Sequence, residues 1–212
     1  VYERLLNEFE KLSLIESVSE KHKINLEFLK ILLLNDDNKL KEKLGRLAEI
    51  RNEYLKNEEK YNYFHSTSIL VKILIQFNEL KKALTELSSE EFITVCQGNS
   101  YFEGERVYMF GLLSATENNS ELKPAIEYYV NAYEIIKDLD ITELTWKVLF
   151  MLTISFAERG NFTRAKDYLV YVKSVLEYIK NKITDERLKM VYFDQQERRV
   201  AIETINKLAE QI

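Results

Sequence analysis

The residue types that perform most enzyme chemistry are scarce in this sequence. Its only cysteine is Cys96, and its only histidines are His22 and His65. Cys96 follows an apolar run that ends at Val95, and a lone cysteine in such a context is typical of core packing rather than of an activated nucleophile. A structural zinc site needs several cysteine or histidine ligands at short spacing. We therefore predict neither a Cys–His catalytic pair nor a metal site.

The motifs that bind phosphates or paired metals are also missing from the sequence. Its five glycines never assemble a P-loop or a dinucleotide-binding fingerprint. Neither histidine has a glutamate three residues before it, which helical di-metal sites require. Many carboxylates have a basic partner three or four residues away, as Glu42 has in Arg46, and such pairs are typical of solvated helix faces. The sequence thus predicts a non-catalytic protein without a cofactor.

The charge balance and the apolar runs favour some classes of partner over others. The net charge is −5, from 30 basic and 35 acidic residues, whereas a nucleic-acid binder normally presents a basic face to the phosphates. The most apolar stretch, residues 24–34, contains Glu27 and Lys30 and is too short to span a bilayer. A single cysteine favours a reducing compartment. We expect a cytoplasmic protein that binds neither nucleic acid nor membrane and, because it begins at Val1, a piece of a longer chain.

The elements that position these residues are predicted to be helices throughout. The 212 residues include one proline and five glycines, and apolar residues recur at helical spacing along nearly the whole chain. About eleven helices and no strand are expected, with caps at Asn78, at Asp140 and at Asn161. The principal predicted helices cover residues 1–20, 24–34, 40–57, 61–77, 101–117, 140–159 and a long last helix over 184–211.

A recurring helix–turn–helix pattern carries a family resemblance. Leu149, Leu152, Thr153 and Phe156 form a first-helix motif, and Ala165 follows nine residues after Phe156, with Leu169 beyond it. The same arrangement recurs more loosely in a motif that begins at Met109 and is followed by Ala125 and Tyr129, and in one that begins at Thr67 and is followed by Ala83 and Leu87. In this pattern a small residue on the second helix lets the two helices approach closely. The pattern resembles the tetratricopeptide repeat, or TPR.

The repeats are longer than the usual ones and imply a particular domain organisation. Ala83, Ala125 and Ala165 lie 42 and 40 residues apart, against about 34 in the standard repeat. The chain therefore resembles the divergent, long-helix repeats of bacterial regulatory proteins. That resemblance implies one all-α domain over residues 1–212, built of antiparallel helix hairpins stacked as a TPR-like α-solenoid. Residues 1–60 would be degenerate N-terminal helices, 61–180 the repeats and 184–212 a C-terminal capping helix. The alternative is a non-repeating bundle whose apolar stripes fill its own core.

The resemblance also implies where a partner would bind, because the first helices of successive TPR pairs line a concave groove. Carried onto this sequence, that geometry predicts a groove lined by His65, Ser68, Lys72 and Gln76, then by Phe110, Ser114 and Glu117, and then by Lys147, Phe150, Ile154 and Glu158. Only Lys72 matches the lysines and asparagines that clamp a peptide carboxylate in chaperone-binding members, so such a clamp is disfavoured. The aromatic positions suit an apolar or amphipathic helix, unless Phe110 and Phe150 are buried packing.

Two functions are compatible with these features. The first is a protein–protein interaction scaffold, the repeat region of a larger regulator that binds a protein or a peptide. The second is a sensor module of a signalling or transcription-regulatory protein, in which a small ligand or peptide changes the curvature of the stack. An enclosed pocket would favour the second function, and an open groove would favour the first.

Overall fold

A computed structural model describes residues 24–29, 40–116, 122–140 and 142–211. All regular secondary structure within these ranges is helical, so the prediction of an all-α protein is confirmed. The chain divides into two compact units, Val1–Val95 and Cys96–Ile212. The predicted helix over residues 1–20 lies outside the described residues, and the prediction of one repeat domain over residues 1–212 stays a prediction.

The first unit contains a run of helices joined by short turns. Residues 24–29 are helical, and α1, α2, α3 and α4 follow them at Leu40–Lys56, Lys60–Gln76, Leu80–Leu87 and Glu90–Cys96. Helix α2 packs against both α1 and α3. Connections of about three residues between packed helices reverse the chain direction at each turn, which makes α1–α2 and α2–α3 helix hairpins.

The core of the first unit lies along α2 and follows the repeat pattern. Thr67, Leu70, Val71 and Leu74 on α2, together with Ala83 and Leu87 on α3, are all buried. The Thr67 hydroxyl donates to the Tyr63 carbonyl at 2.8 Å, so its burial leaves no unsatisfied donor. Each position that the pattern selects in this segment is therefore a core position.

The second unit contains two long hairpins followed by a pair of C-terminal helices. Its helices are α5 (Ser100–Thr116), α6 (Ala125–Ile136), α7 (Glu143–Glu158), α8 (Phe162–Lys182), α9 (Glu186–Phe193) and α10 (Gln196–Gln211). Each of α5, α6 and α7 packs on the helix that follows it, and α10 packs on α8.

Glycines rather than the predicted alanine bring α5 and α6 together. A Cβ atom on Gly104 would overlap the side chain of Ile136, and one on Gly111 would overlap the ring of Tyr129. Ala125, which the repeat pattern selected as the small contact residue, is only half-buried at the first position of α6. The close approach in this hairpin is therefore made by two small residues on the first helix, whereas the pattern expects one on the second.

The α7–α8 hairpin follows the pattern at every position. Leu149, Leu152, Thr153 and Phe156 on α7 and Ala165 and Leu169 on α8 are buried. Gly160 supplies the turn with a φ of 72°, and the Asn161 side chain accepts the Arg164 N–H at 3.3 Å, so the predicted cap is confirmed. This is the segment whose spacing most resembled a tetratricopeptide repeat.

Two of the predicted caps were wrong. Asn78 has a φ of 60° and lies in the left-handed region that ends helices, so it follows α2 rather than capping α3. Helix α7 is capped by Thr142 instead of Asp140. The Thr142 N–H donates to the Thr145 hydroxyl at 3.0 Å, which forms one half of a capping box.

The long last helix predicted over residues 184–211 is two helices. Asp185 caps α9 by accepting the N–H groups of Arg187 and Leu188 at 2.8 and 3.0 Å. Helix α9 ends at Phe193, and α10 begins at Gln196 after a turn. A sequence signal for this break exists, because Asp194 followed three residues later by Glu197 has the form of a helix start. The break sets the geometry of the C-terminal surface.

Candidate functional site

The groove positions predicted on α2 differ widely in exposure. Ser68 is buried, and its hydroxyl has no hydrogen-bond partner among the described residues. His65 is half-buried and packs edge-on against Tyr61, with ring centroids 4.3 Å apart. Lys72 is half-buried and Gln76 is exposed. The four side chains therefore do not present one uniform surface to solvent.

Two of the groove positions predicted on α5 contact α6 or the segment that leads into it. The Phe110 ring stacks on Tyr128 with centroids 5.6 Å apart, and the Arg106 guanidinium lies 5.4 Å from the Phe110 centroid. The Ser114 hydroxyl donates to the Lys123 carbonyl at 2.6 Å. Glu117 lies outside the described residues. At least one face of the Phe110 ring is therefore packed within its own hairpin.

The first two of the groove positions predicted on α7 are directed towards the C-terminal helices. Lys147 Nζ lies 2.7 Å from Glu197 Oε2 of α10 and 3.8 Å from Glu143 Oε1. Phe150 is half-buried against the apolar cluster that α7 and α8 form with Ala201 and Ile205 of α10. Ile154 is half-buried and Glu158 is exposed. The first half of the α7 face that was expected to be an open groove floor is thus engaged, at Lys147 by Glu197 of α10 and at Phe150 by the apolar cluster.

An ionic clamp, defined here as Glu143, Tyr192 and Arg198, attaches the C-terminal helix pair to the start of α7. Arg198 is only 8% exposed. Its Nη2 donates to Glu143 Oε1 at 2.6 Å, and its Nη1 donates to the Tyr192 carbonyl at 2.9 Å. The Tyr192 hydroxyl donates to Glu143 Oε2 at 2.6 Å, and its ring lies 3.5 Å from the Arg198 guanidinium carbon. Both carboxylate oxygens therefore have a donor from the C-terminal helix pair.

The clamp holds its groups in definite ionisation states. Burial alone would raise the pKa of Glu143, but the hydrogen bond from Tyr192 and the charges of Arg198 and Lys147 outweigh it and lower that pKa. Burial, and then the hydrogen bond to Glu143, raises the pKa of Tyr192 to about 12. Glu143 is therefore an anion and Tyr192 a neutral donor across the physiological range. These states suit a structural attachment rather than proton transfer.

The C-terminal trough, defined as the depression between α8 and the α9–α10 pair, is open to solvent and has a volume of about 650 Å³. Its apolar surface consists of Leu176, Met190, Phe193, Ile202 and Ile205. Its polar rim consists of Lys173, Glu177, Lys180, Lys189 and Asn206. A second depression, of about 560 Å³, shares Met190, Phe193 and Ile202 and continues past Val191.

Helix α9 exposes its large apolar side chains. Met190 is 65% exposed, Leu188 63% and Val191 62%, and no residue of this helix is fully buried. Val200 on α10 is half exposed as well. Isolated exposed apolar residues are ordinary, but a cluster beside an apolar depression marks an interaction surface. The repeat resemblance implied a C-terminal capping helix over residues 184–212, and the sequence pattern gave no indication of the trough.

A further cavity, of about 570 Å³, lies within the first unit, and the side chains at its rim are mainly acidic. Its rim carries Glu58, Glu59, Glu90 and Glu91 against the single cation Lys60. Acidic residues at helix ends are common on soluble proteins, and a cluster of them is not by itself a site. The basic-rimmed trough of the second unit is therefore the better candidate.

The lone cysteine and the residue types that ligate metals were examined for a reactive arrangement in the described part of the chain. Cys96 is buried, and burial raises the pKa of its thiol to about 12, so the reactive thiolate is disfavoured. Over the described ranges, no group of three or more histidine, cysteine, aspartate and glutamate side chains could hold a metal ion.

The chain was compared with protein-family models and with curated proteins. No protein-family model matches the chain, and a search of curated proteins gave no match. Among the helices of the described ranges, none combines the length and the apolar character needed to cross a membrane.

Proposed function

We propose that this chain is a non-catalytic protein-interaction module, built of TPR-like hairpins, that binds a helical segment of a partner protein in the C-terminal trough. The observation that carries the proposal is the exposure of Met190 and Val191, each more than 60%, beside an apolar surface continuous with the core. Burial of such apolar surface favours association by about 25 cal/mol per Å². This surface lies away from the predicted first-helix groove, where Glu197 of α10 pairs with Lys147 and where Phe150 packs against the apolar core cluster.

The proposed solenoid rests on the hairpins themselves. Successive helices pack together from α1 to α3 and from α5 to α8, and the pattern alanines Ala83 and Ala165 are fully buried. Arrays of this kind present extended surfaces without catalytic groups, which suits an interaction module. An experimentally determined structure in which successive hairpins do not stack would contradict this part of the proposal.

A display selection tests the site. A library of amphipathic peptides of about 18 residues, five helical turns, would be selected against the parent chain and against a Met190→Ser, Val191→Ser variant. We expect binders to be enriched on the parent chain and lost on the variant, because the serines remove the apolar contact. The matched control is Tyr171→Ser, which changes a side chain 55% exposed on α8 but outside the trough.

The result of the selection can be assigned to the trough only if both variants are folded and the control variant keeps its binders. Far-UV circular dichroism and a thermal melt should show that all three proteins are folded. Binders that are retained by the Met190→Ser, Val191→Ser variant would place the site elsewhere on the chain. A selection that enriches nothing on the folded parent chain would contradict the interaction-module proposal.

A further inference from the structure

The rim of the C-terminal trough is basic although the chain as a whole is acidic. Among the described residues, Lys173, Lys180 and Lys189 line it against one carboxylate, Glu177, and Lys189 also pairs with Glu186 at 2.6 Å, whereas the chain carries a net charge of −5. Glu177 is already shared between Lys180, at 3.8 Å, and the Asn181 amide, at 3.5 Å. The rim therefore retains positive charge around an apolar floor.

The lysines are spaced to meet charges on a helix. Lys173 and Lys180 are seven residues apart on α8, which places them on one side of the helix and about 10.5 Å apart along its axis. Residues seven apart on a partner helix have the same separation, so two carboxylates at that spacing can face both lysines. Lys173 has no ion-pair partner among the described residues, so it is available for such a contact.

The trough also favours a helix over an extended peptide. An extended peptide needs partners for its backbone N–H and C=O groups, which sheet edges normally supply. The trough is bounded by helices, and Asn206 is the one neutral polar side chain in its lining within the described residues. A helix satisfies its own backbone and needs only an apolar stripe with charged flanks.

We infer, on the basis of the proposed function, that the occupant of the C-terminal trough is an acidic amphipathic helix. Its apolar stripe covers Met190, Phe193 and Ile202, and its flanking carboxylates pair with Lys173 and Lys180. Because these pairs are at the solvated rim, binding weakens as salt is added.

Charge selection in the same display library tests the inference. Flanking positions would be randomised among glutamate, lysine and glutamine, and the selected peptides measured by fluorescence anisotropy at low and high salt. We expect glutamate to be enriched at flanks seven residues apart. The Lys173→Glu, Lys180→Glu variant should bind the acidic peptides about tenfold more weakly, since two exposed ion pairs become repulsive contacts.

The matched control has the same change in net charge away from the trough. Lys182→Glu, Lys207→Glu alters two exposed lysines that do not line the trough, and it should leave the affinity within about twofold. Peptides enriched without acidic flanks, or an equal loss in both charge variants, would overturn the acidic-helix inference while leaving the trough as the site.

Two further outcomes separate this inference from the proposed function. A selection that enriches no peptide on the folded chain would overturn both. If the chain instead binds vesicles of phosphatidylcholine and phosphatidylglycerol, and Met190→Ser with Val191→Ser abolishes that binding while no peptide competes, the basic rim serves a lipid surface and the acidic-helix inference is overturned.

Discussion

The side of the α9–α10 pair that meets the start of α7 and the side that borders the trough differ in their chemistry. The side that meets α7 contains charge, with Arg198, Glu143 and Tyr192 joined by short hydrogen bonds. The side that borders the trough exposes Met190 to solvent. Directional bonds on the inner side hold the helix pair in one position, which leaves the apolar side free for a partner. Fixing a surface before binding lowers the entropy lost in association.

Among the clamp residues, the largest expected effect comes from replacing the least exposed member. Arg198→Ala leaves Glu143 and the Tyr192 carbonyl without their charged donor, and removing one partner of a buried ion pair costs about 3 kcal/mol. Urea denaturation would measure the change in the free energy of unfolding. Arg199→Ala is the matched control, because that side chain is 58% exposed and lies 3.9 Å from Asp194, so about 0.5 kcal/mol or less is expected. Equal losses in the two variants would contradict the clamp.

Replacing the carboxylate should have a smaller effect that depends on pH. Glu143→Gln leaves Arg198 without its counter-charge, and we expect a loss of about 2 kcal/mol at neutral pH. Folding lowers the pKa of Glu143 below its ordinary value of 4.5, so the clamp contribution is complete above that value and is lost as pH falls through the folded pKa. The difference in unfolding free energy between the parent chain and the variant should therefore narrow below about pH 4.5. A difference that stays constant down to pH 3 would show that the Glu143 charge contributes nothing.

Removing the Tyr192 hydroxyl tests how much of the stability of the clamp comes from one hydrogen bond. Tyr192→Phe deletes the donor to Glu143 Oε2 but keeps the ring beside the Arg198 guanidinium, so about 1 kcal/mol is expected. Tyr171→Phe, on the exposed surface of α8, should leave the free energy of unfolding unchanged in the same urea experiment. An effect of Tyr192→Phe as large as that of Arg198→Ala would mean that the hydroxyl, rather than the ion pair, holds the helix pair.

The smallest effect on stability is expected on the trough side. Met190→Ser changes a side chain that is 65% exposed, and surface substitutions of this kind alter stability by about 0.5 kcal/mol or less. Ile205→Ala, in the buried floor of the same trough, should instead cost about 2–4 kcal/mol because it leaves a cavity. If thermal melts show Met190→Ser to be as destabilising as Ile205→Ala, the methionine belongs to the core and the trough is not a preformed surface.

Much of the helical architecture could be predicted because its causes are local. Few glycines and prolines, together with apolar residues at helical spacing, indicate helices wherever they occur. The spacing also selected core positions correctly, such as Leu152 and Ala165 on α7 and α8. The spacing was wrong about Ala125, because the small residues that allow α6 to approach closely are Gly104 and Gly111 on the facing helix. Which of two packed helices contributes the small side chain is a property of the pair.

The candidate site could not be predicted in the same way. Helical periodicity shows that Lys147 and Phe150 share a face of α7, but not that α10 meets this face. That contact joins residues about fifty positions apart, and it depends on the break between Phe193 and Gln196. A single continuous helix over 184–211 would place Tyr192 and Met190 in a different relation to α7 and α8.

The sequence by itself determined that this protein is helical and which side chains fill the α2–α3 and α7–α8 hairpins, and it carries none of the usual motifs of catalysis. Those properties follow from residue type and from spacing over a few turns. The tertiary structure alone decided that Arg198 is buried against Glu143 and that Met190 is exposed beside the trough. The physical reason is that a charged or apolar side chain has no fixed position of its own. Its burial is set by whichever distant helix packs against it.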